Sequence, residues 1–306
     1  MSTAPRWSVI VAAYHSDGVI AECLAALRQQ NVSDLEVIVV NSSPMDDTAR
    51  IVTERFPEFR LIESQTRLLP HAARNVGVAE ARGDLLVFTD ADCRPETDWL
   101  EALGKAADAG HEVICGSIGL EGSGYFAAGV HLCKYSFRDP RLKAAPCTIA
   151  GTANACYSRK AWERVGPFDG TRFSGDAILS IRAAAAGLRP WYEPRARVQH
   201  HYEGNFIGFL GERVARGGDF AEARMDLESW SRARSACYAI ALPLLPFVPL
   251  ARTAGHALAS GSLGTYLATL PLQLAGHLAW CLGEFPRHLR RALGQSPARL
   301  PIESDS

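Results

Sequence analysis

Residues 84–93 read Asp-Leu-Leu-Val-Phe-Thr-Asp-Ala-Asp-Cys (DLLVFTDADC), and this stretch decides the fold. Leu85 to Phe88 is a short, unbroken apolar run of the length of a buried strand, and it ends on Thr89-Asp90-Ala91-Asp92. Two carboxylates one residue apart, rimmed by apolar strand, are costly unless a cation or solvent compensates them. In open α/β sheets ligands bind outside the carboxyl ends of the strands, which is where both acids fall. A hard divalent ion, Mg²⁺ or Mn²⁺, prefers oxygen ligands and bridges carboxylate to diphosphate oxygens. A solvated turn carrying two acids is the plainer alternative.

Working back towards the N-terminus, the pattern repeats. Val9 to Ala12 and Leu35 to Val40 (LEVIVV) are buried strands, and Phe59 to Ile62 reads as a third. Between the first two, Val19, Ile20, Cys23, Leu24 and Leu27 recur at helical spacing, predicting a helix from about Asp17 to Gln30. Asp46 and Asp47 suit the start of a helix running through Arg55. His71 to Arg82 is a further helix. Strands alternating with helices at this pitch predict βαβ units and a mostly parallel central sheet buried on both faces, an α/β fold.

Towards the C-terminus the signal weakens. Gly116 to Cys147 reads as loops and short elements. Thr148 to Tyr157 is regular again, followed by helices at Arg159 to Arg164 and about Asp176 to Ala186. Gly187 suits the C′ position of the latter helix. Two short strands, Arg189 to Tyr192 and Arg197 to His200, complete this part.

The balance of 306 residues, 47% hydrophobic, 21% charged and formally −1, supports a large core and argues against a nucleic-acid partner, which calls for a basic excess. The eight cysteines show no CxxC spacing and sit in apolar stretches, as small hydrophobes in a reducing compartment do. MSTAPRW runs straight into a strand without a basic start and apolar core, so no secretory signal is expected.

Four segments in order, VIVAAYHSDGVIAECLAAL (9–27), LEVIVVNSSPMDDT (35–48), AARNVGVAEARGDLLVFTDADC (72–93) and GTANACYSRKAWERVGPFD (151–169), resemble family 2 glycosyltransferases of the GT-A fold. The resemblance spans roughly Trp7 to Arg224. It implies that Ala12, Ala13 and Tyr14 help cradle the nucleotide of a nucleotide-sugar donor. Asn41, standing where an acid often binds base or ribose, offers both a donor and an acceptor. Arg74 and Asn75 are implied to approach the nucleotide. The acidic pair becomes Asp90 and Asp92, with Asp92 the more direct ligand of a divalent metal (Mn²⁺ or Mg²⁺) and Asp90 shared between metal and nucleotide. His200 or its neighbour His201 is implied to complete the metal shell or contact phosphate. The family places two acids at a helix start near the acceptor. Here Phe173-Ser174-Gly175-Asp176 supplies one, leaving Asp176 as the base. Arginines of the 213–224 stretch (RVARGGDFAEAR) are candidates for diphosphate or for a membrane surface.

Composition changes after Arg234. Ser235 to Ala251 and Thr253 to Gly283 contain no Asp, Glu, Lys or Arg, and Pro243, Pro246 and Pro249 interrupt the first run. Arg232 and Arg234 precede these runs, and Arg287, Arg290 and Arg291 follow them. The expected organisation is a catalytic domain over 1–234 and, over 235–306, membrane-associated C-terminal helices forming a hairpin with a basic tail. The expected place is the cytoplasmic face of the cell membrane. The expected reaction is inverting transfer of a sugar to an acceptor hydroxyl on a glycan or lipid-linked acceptor, in polysaccharide or glycolipid assembly. The rival is a catalytically impaired, membrane-tethered scaffold that binds sugar nucleotides.

Overall fold

The computed structural model describes residues 4–202 and 204–295, which pack as two compact units. The first comprises the described residues up to Glu121 together with Arg138–Tyr202. The second comprises Gly122–Phe137 and the described residues from 204 onward.

In the first unit β1 (Trp7–Ala13) leads into α1 (Ile20–Arg28), β2 (Leu35–Asn41) into α2 (Thr48–Arg55), and β3 (Arg60–Glu63) into α3 (Pro70–Glu80). β4 (Leu85–Asp90) ends at the acidic triplet, followed by β5 (Cys93–Pro95), α4 (Trp99–Asp108) and β6 (Val113–Leu120). After α5 (Tyr125–Tyr135), a helix of the second unit, the chain returns through β7 (Ala145–Pro146), β8 (Asn154–Ser158), α6 (Arg159–Val165), α7 (Gly175–Ala185) and β9 (Trp191–His200). The apolar stripe read for α1 is buried as Ile20, Cys23, Leu24 and Leu27. Asp46 starts α2 by accepting from the Thr48 amide and hydroxyl at 3.1 and 2.9 Å. Gly187, at φ +76°, lies just beyond α7 as its spacing requires.

The strands form one nine-stranded sheet in the order β3-β2-β1-β4-β8-β6-β9-β5, with β7 added on β9. Val9 to Val11, Val37 to Val40 and Leu86 to Phe88 are all buried, and each such side chain contributes roughly 1.5–3 kcal/mol. Only half of this sheet is parallel in the expected way. β3, β2, β1 and β4 run together, whereas β8 lies antiparallel to both β4 and β6, and β5 and β7 lie antiparallel to β9. The sheet is mixed, not mostly parallel. A buried apolar run looks the same in either direction, and the long excursion between β6 and β8 leaves open the end from which the chain re-enters.

Two further differences have local causes. β9 is one strand where two were read, because its ladder with β6 breaks between Gly116 and Ser117 and leaves 194–196 unpaired against it. Pro194 has no N–H to continue the ladder, and its carbonyl instead accepts from Ser117 Oγ at 2.8 Å. The stretch read as loops contains the helix α5. Gly129 weakens its propensity but lets it approach the second unit's last helix: a Cβ there would lie 2.6 Å from Leu272 Cδ2.

The second unit continues with α8 (Phe206–Leu227), α9 (Arg232–Ala241), α10 (Phe247–Ala259), α11 (Leu263–Ala268) and α12 (Leu270–Ala292). The stretch from Ser235 is therefore four helices where a hairpin of two was expected. Its C-terminal end beyond 295 lies outside the described residues. α8 and α12 meet backbone to backbone. A Cβ on Gly283 would lie 2.0 Å from the Val214 carbonyl oxygen, and one on Gly217 2.3 Å from that of Trp280. The unit therefore takes in residues upstream of the composition change at Arg234, since α8 without α12 would lose this packing. No single described helix is long and apolar enough to cross a membrane. Arg232–Leu244 and Phe247–Ala259 pass that test only as a pair, bent by 60° where Pro243 and Pro246 interrupt it.

Candidate active site

Strand register assembles the core of the site. Ala12 lies beside Asp90, and Ala13 beside Asn41, so three strands of separate sequence origin end on one sheet edge. Tyr14 leaves β1 there, with the Arg67 guanidinium 4.6 Å from its ring centroid and the His15 ring edge-on at 4.3 Å. Asn41 is buried, and its amide is used within the turn: Oδ1 accepts the Ser43 N–H at 3.1 Å while Nδ2 donates to the Ser43 carbonyl at 3.3 Å. Asn41 thus shapes the loop after β2, with one acceptor site on Oδ1 and one N–H on Nδ2 engaged there.

The carboxylates of Asp90 and Asp92 have different partners. Asp90 accepts a charge-assisted bond from Arg74, whose guanidinium is buried on α3 with Nε lacking a hydrogen-bond partner among the described residues. Asp92 is more exposed and faces His200, with Oδ2 3.5 Å from Nε2. The pairing of β5 with β9 sets Cys93 opposite His200, and the Asp92 carbonyl accepts the His201 N–H at 3.1 Å. The His201 ring turns elsewhere, its Nδ1 3.7 Å from Glu121. One ligand atom from each of Asp92, Cys93 and His200 lies within 4.8 Å of the others. Carboxylate oxygen and imidazole nitrogen suit a divalent first-row ion. Burial pushes the Cys93 thiol well up from its ordinary range, and sulfur suits a hard ion less well than oxygen does. A divalent ion therefore fits Asp92 and His200, with Asp90 already committed to Arg74.

Asp176 sits in the first turn of α7, partly exposed, with Oδ1 accepting the Ala177 N–H at 2.8 Å. Its carboxylate lies 3.8 Å from His71 Nε2, and His71 Nδ1 lies 3.4 Å from Arg74 Nη1. A continuous series Asp90–Arg74–His71–Asp176 thus joins the acidic triplet to the expected base. Burial, and then the Arg74 charge, press the His71 pKa down to about 4.

Other residues of the sequence reading are employed differently. The Asn75 side chain holds the backbone of Phe168 by two bonds, at 2.9 and 3.0 Å, and so fixes the loop before α7. In the second unit Arg213 donates to the Gly276 carbonyl and stacks 4.3 Å from the Trp280 ring, and Arg224 packs over Trp230 and Tyr238. Sequence reasoning missed His71, Cys93 and Arg138. Arg138 is buried and donates to the carbonyls of Gly116, Gly151 and Asn154, tying the floor beside Asp176 together. Its place in a stretch without periodicity gave no signal.

The family model described as Glycosyl transferase family 2 matches residues 8–166. Glycosyltransferase AglE of Haloferax volcanii is 30% identical over 196 residues, 61% of this chain and 64% of that protein. Succinoglycan biosynthesis protein ExoO of Rhizobium meliloti is 35% identical over 107 residues, 34% of this chain and 30% of its own. The chain thus spans less than two thirds of either relative. Among solved structures, a mannosyltransferase from Pyrobaculum calidifontis in complex with GDP-Man and Mn²⁺ is similar at TM-score 0.58 and 21% identity, covering 89% of this chain and 88% of that one. That likeness gives the fold as GT-A. With the family model matching residues 8–166 of 306, the chain belongs to glycosyl transferase family 2.

Proposed function

We propose that the chain is an inverting glycosyltransferase that moves a sugar from a nucleoside diphosphate donor to an acceptor hydroxyl in polysaccharide or glycolipid assembly. The carrying observation is the series Asp90–Arg74–His71–Asp176, which sets one carboxylate at the donor edge and another at a helix start beside it. Ala12, Ala13 and Tyr14 line the nucleotide side. Asp92 and His200 would hold Mn²⁺ or Mg²⁺, which when bound supplies Lewis-acid assistance to the departing diphosphate. Asp176 takes the acceptor hydroxyl's proton as the oxygen attacks the anomeric carbon, and displacement from the opposite face inverts its configuration. The relatives do not favour the scaffold reading. A thermal-shift panel of nucleotide sugars with Mn²⁺ tests the proposal, since a ligand raises the midpoint with its occupancy. GDP-mannose, UDP-glucose or UDP-N-acetylglucosamine should raise it in a metal-dependent way. A flat panel, with no metal-dependent donor hydrolysis, would overturn the reading.

The same proposal puts the protein on the cytoplasmic face of the cell membrane, acting on a lipid-linked acceptor. Support comes from the bent helix pair, from the basic flanks, and from Ile240, Leu244, Phe247, Leu258, Leu267 and Leu282, all strongly exposed on the second unit. The 60° bend favours helices lying in the interface over a span. Full-length protein should pellet with membranes at low salt and need detergent for release. Recovery in the soluble fraction without detergent would remove the lipid-acceptor assignment.

A further inference from the structure

We propose that His71 is a positioning residue, a neutral imidazole clamped by Arg74 that holds the Phe173–Asp176 turn and so aims the Asp176 carboxylate. The proposal rests on the reading of Asp176 as the base and adds a residue that the motifs do not contain. His71 is almost wholly buried at the start of α3, with the Phe168 ring 4.9 Å away. One nitrogen, Nδ1, faces Arg74 Nη1 at 3.4 Å. The other, Nε2, lies 3.2 Å from the Phe173 carbonyl, 3.3 Å from the Asp176 amide nitrogen and 3.8 Å from Asp176 Oδ1.

These partners decide where the imidazole hydrogen lies. A guanidinium only donates, so Nδ1 must accept and carries no hydrogen. The hydrogen is then on Nε2, donated to the Phe173 carbonyl, with the Asp176 carboxylate oxygen beyond it. Either tautomer opposes two donors: the reverse one would let Nε2 accept the Asp176 N–H but set Nδ1–H against the Arg74 cation, whereas the Nε2–H form opposes only the neutral Asp176 N–H, 3.3 Å away. Burial keeps the ring from taking a second proton near neutral pH. With Nε2 protonated and Nδ1 turned onto Arg74, the buried ring presents no lone pair to an acceptor hydroxyl, whereas the partly exposed Asp176 carboxylate does.

Space points the same way. A Cβ on Gly175 would lie 2.7 Å from both Cγ and Cδ2 of the His71 ring, so the imidazole fills the room in which a side chain at 175 would begin. The absence of a second acid beside Asp176 thus goes together with a histidine from a distant helix. Through Arg74, this histidine also links the helix start to Asp90.

The test uses the full-length protein, with Mn²⁺ and either GDP-mannose or UDP-N-acetylglucosamine as the donor and water as the acceptor. His71→Phe keeps a ring and removes both nitrogens. His71→Gln offers an oxygen to Arg74 and an N–H to the Phe173 carbonyl. Turnover should fall by about 10- to 100-fold in His71→Phe, as for a catalytic group displaced by about 1 Å, with donor KM within about threefold of wild type. His71→Gln should recover most of it. Wild-type turnover in His71→Phe, or no recovery in His71→Gln, would overturn the proposal. Nitrogen NMR of the resting protein supplies an arm independent of activity. It should find the Nε2–H tautomer of His71 at neutral pH, and an Nδ1–H ring or an imidazolium would overturn the clamp. Should wild-type turnover prove independent of Asp176, the base assignment fails, and the spectrum still decides the state of His71.

Discussion

Asp176→Asn should slow glycosyl transfer by about 10²- to 10⁴-fold, the range for loss of a general base, while donor affinity stays within about threefold of wild type. The amide has the shape of the carboxylate and keeps one oxygen, so it can still accept the Ala177 N–H that Asp176 Oδ1 takes at 2.8 Å. It cannot receive the acceptor's proton. The Nε2–H of His71 needs an acceptor on the Phe173 carbonyl, 3.2 Å away, and that bond survives the change. Melting temperature should therefore barely move, because the carboxylate is partly exposed and its loss strands no buried cation. Steady-state kinetics with the donor and acceptor both varied would separate the two effects. Transfer within a few-fold of wild type would assign the base to another group.

Much of this site is legible in the sequence, for a physical reason. β1, β2 and β4 are buried on both faces, so their apolar runs are uninterrupted, and Asp90 ends one of them. In a sheet of parallel neighbours that position alone puts Asp90 level with Ala12. Asp92 stands out as an acid after a buried strand, whereas Asp176 is singled out by the family resemblance, because an acid at a helix start is common as a cap. Contacts made over long separations in sequence leave no such trace. His71 and Asp176 are 105 residues apart, and nothing in the periodicity of α3 distinguishes a histidine that meets another helix start from one that fills the core. Arg138 is hidden more deeply, since its three partners are carbonyls, which every residue carries. Asn41 adds a local role that its type alone does not announce: a buried amide two residues from a backbone N–H bonds to its own turn.

Asp92→Ala should abolish the Mn²⁺-dependent part of nucleoside diphosphate binding, a loss of about 100-fold or more in affinity, and leave metal-free binding almost unchanged. The Asp92 side chain is more than a third exposed and faces His200 at 3.5 Å, so water reaches the groups that its removal uncovers. The fold should therefore tolerate the change. Asp90→Asn makes the contrast that identifies the mechanism. Arg74 is buried, and Asp90 is the carboxylate it holds, so neutralising Asp90 strands a cation and should cost on the order of 2–3 kcal/mol of stability. The two acids, one residue apart in sequence, are thus expected to fail in different ways: Asp92 through metal affinity at constant melting temperature, Asp90 through stability as well. His200→Ala should resemble Asp92→Ala, because both act on the same ion. Calorimetry of GDP or UDP with and without Mn²⁺, run beside a thermal melt, reads all three. Equal Mn²⁺ dependence in wild type and Asp92→Ala would move the ion off Asp92. A melting temperature for Asp90→Asn equal to wild type would mean that the Arg74 charge is compensated from elsewhere, and that the series linking the donor edge to Asp176 does not begin at Asp90.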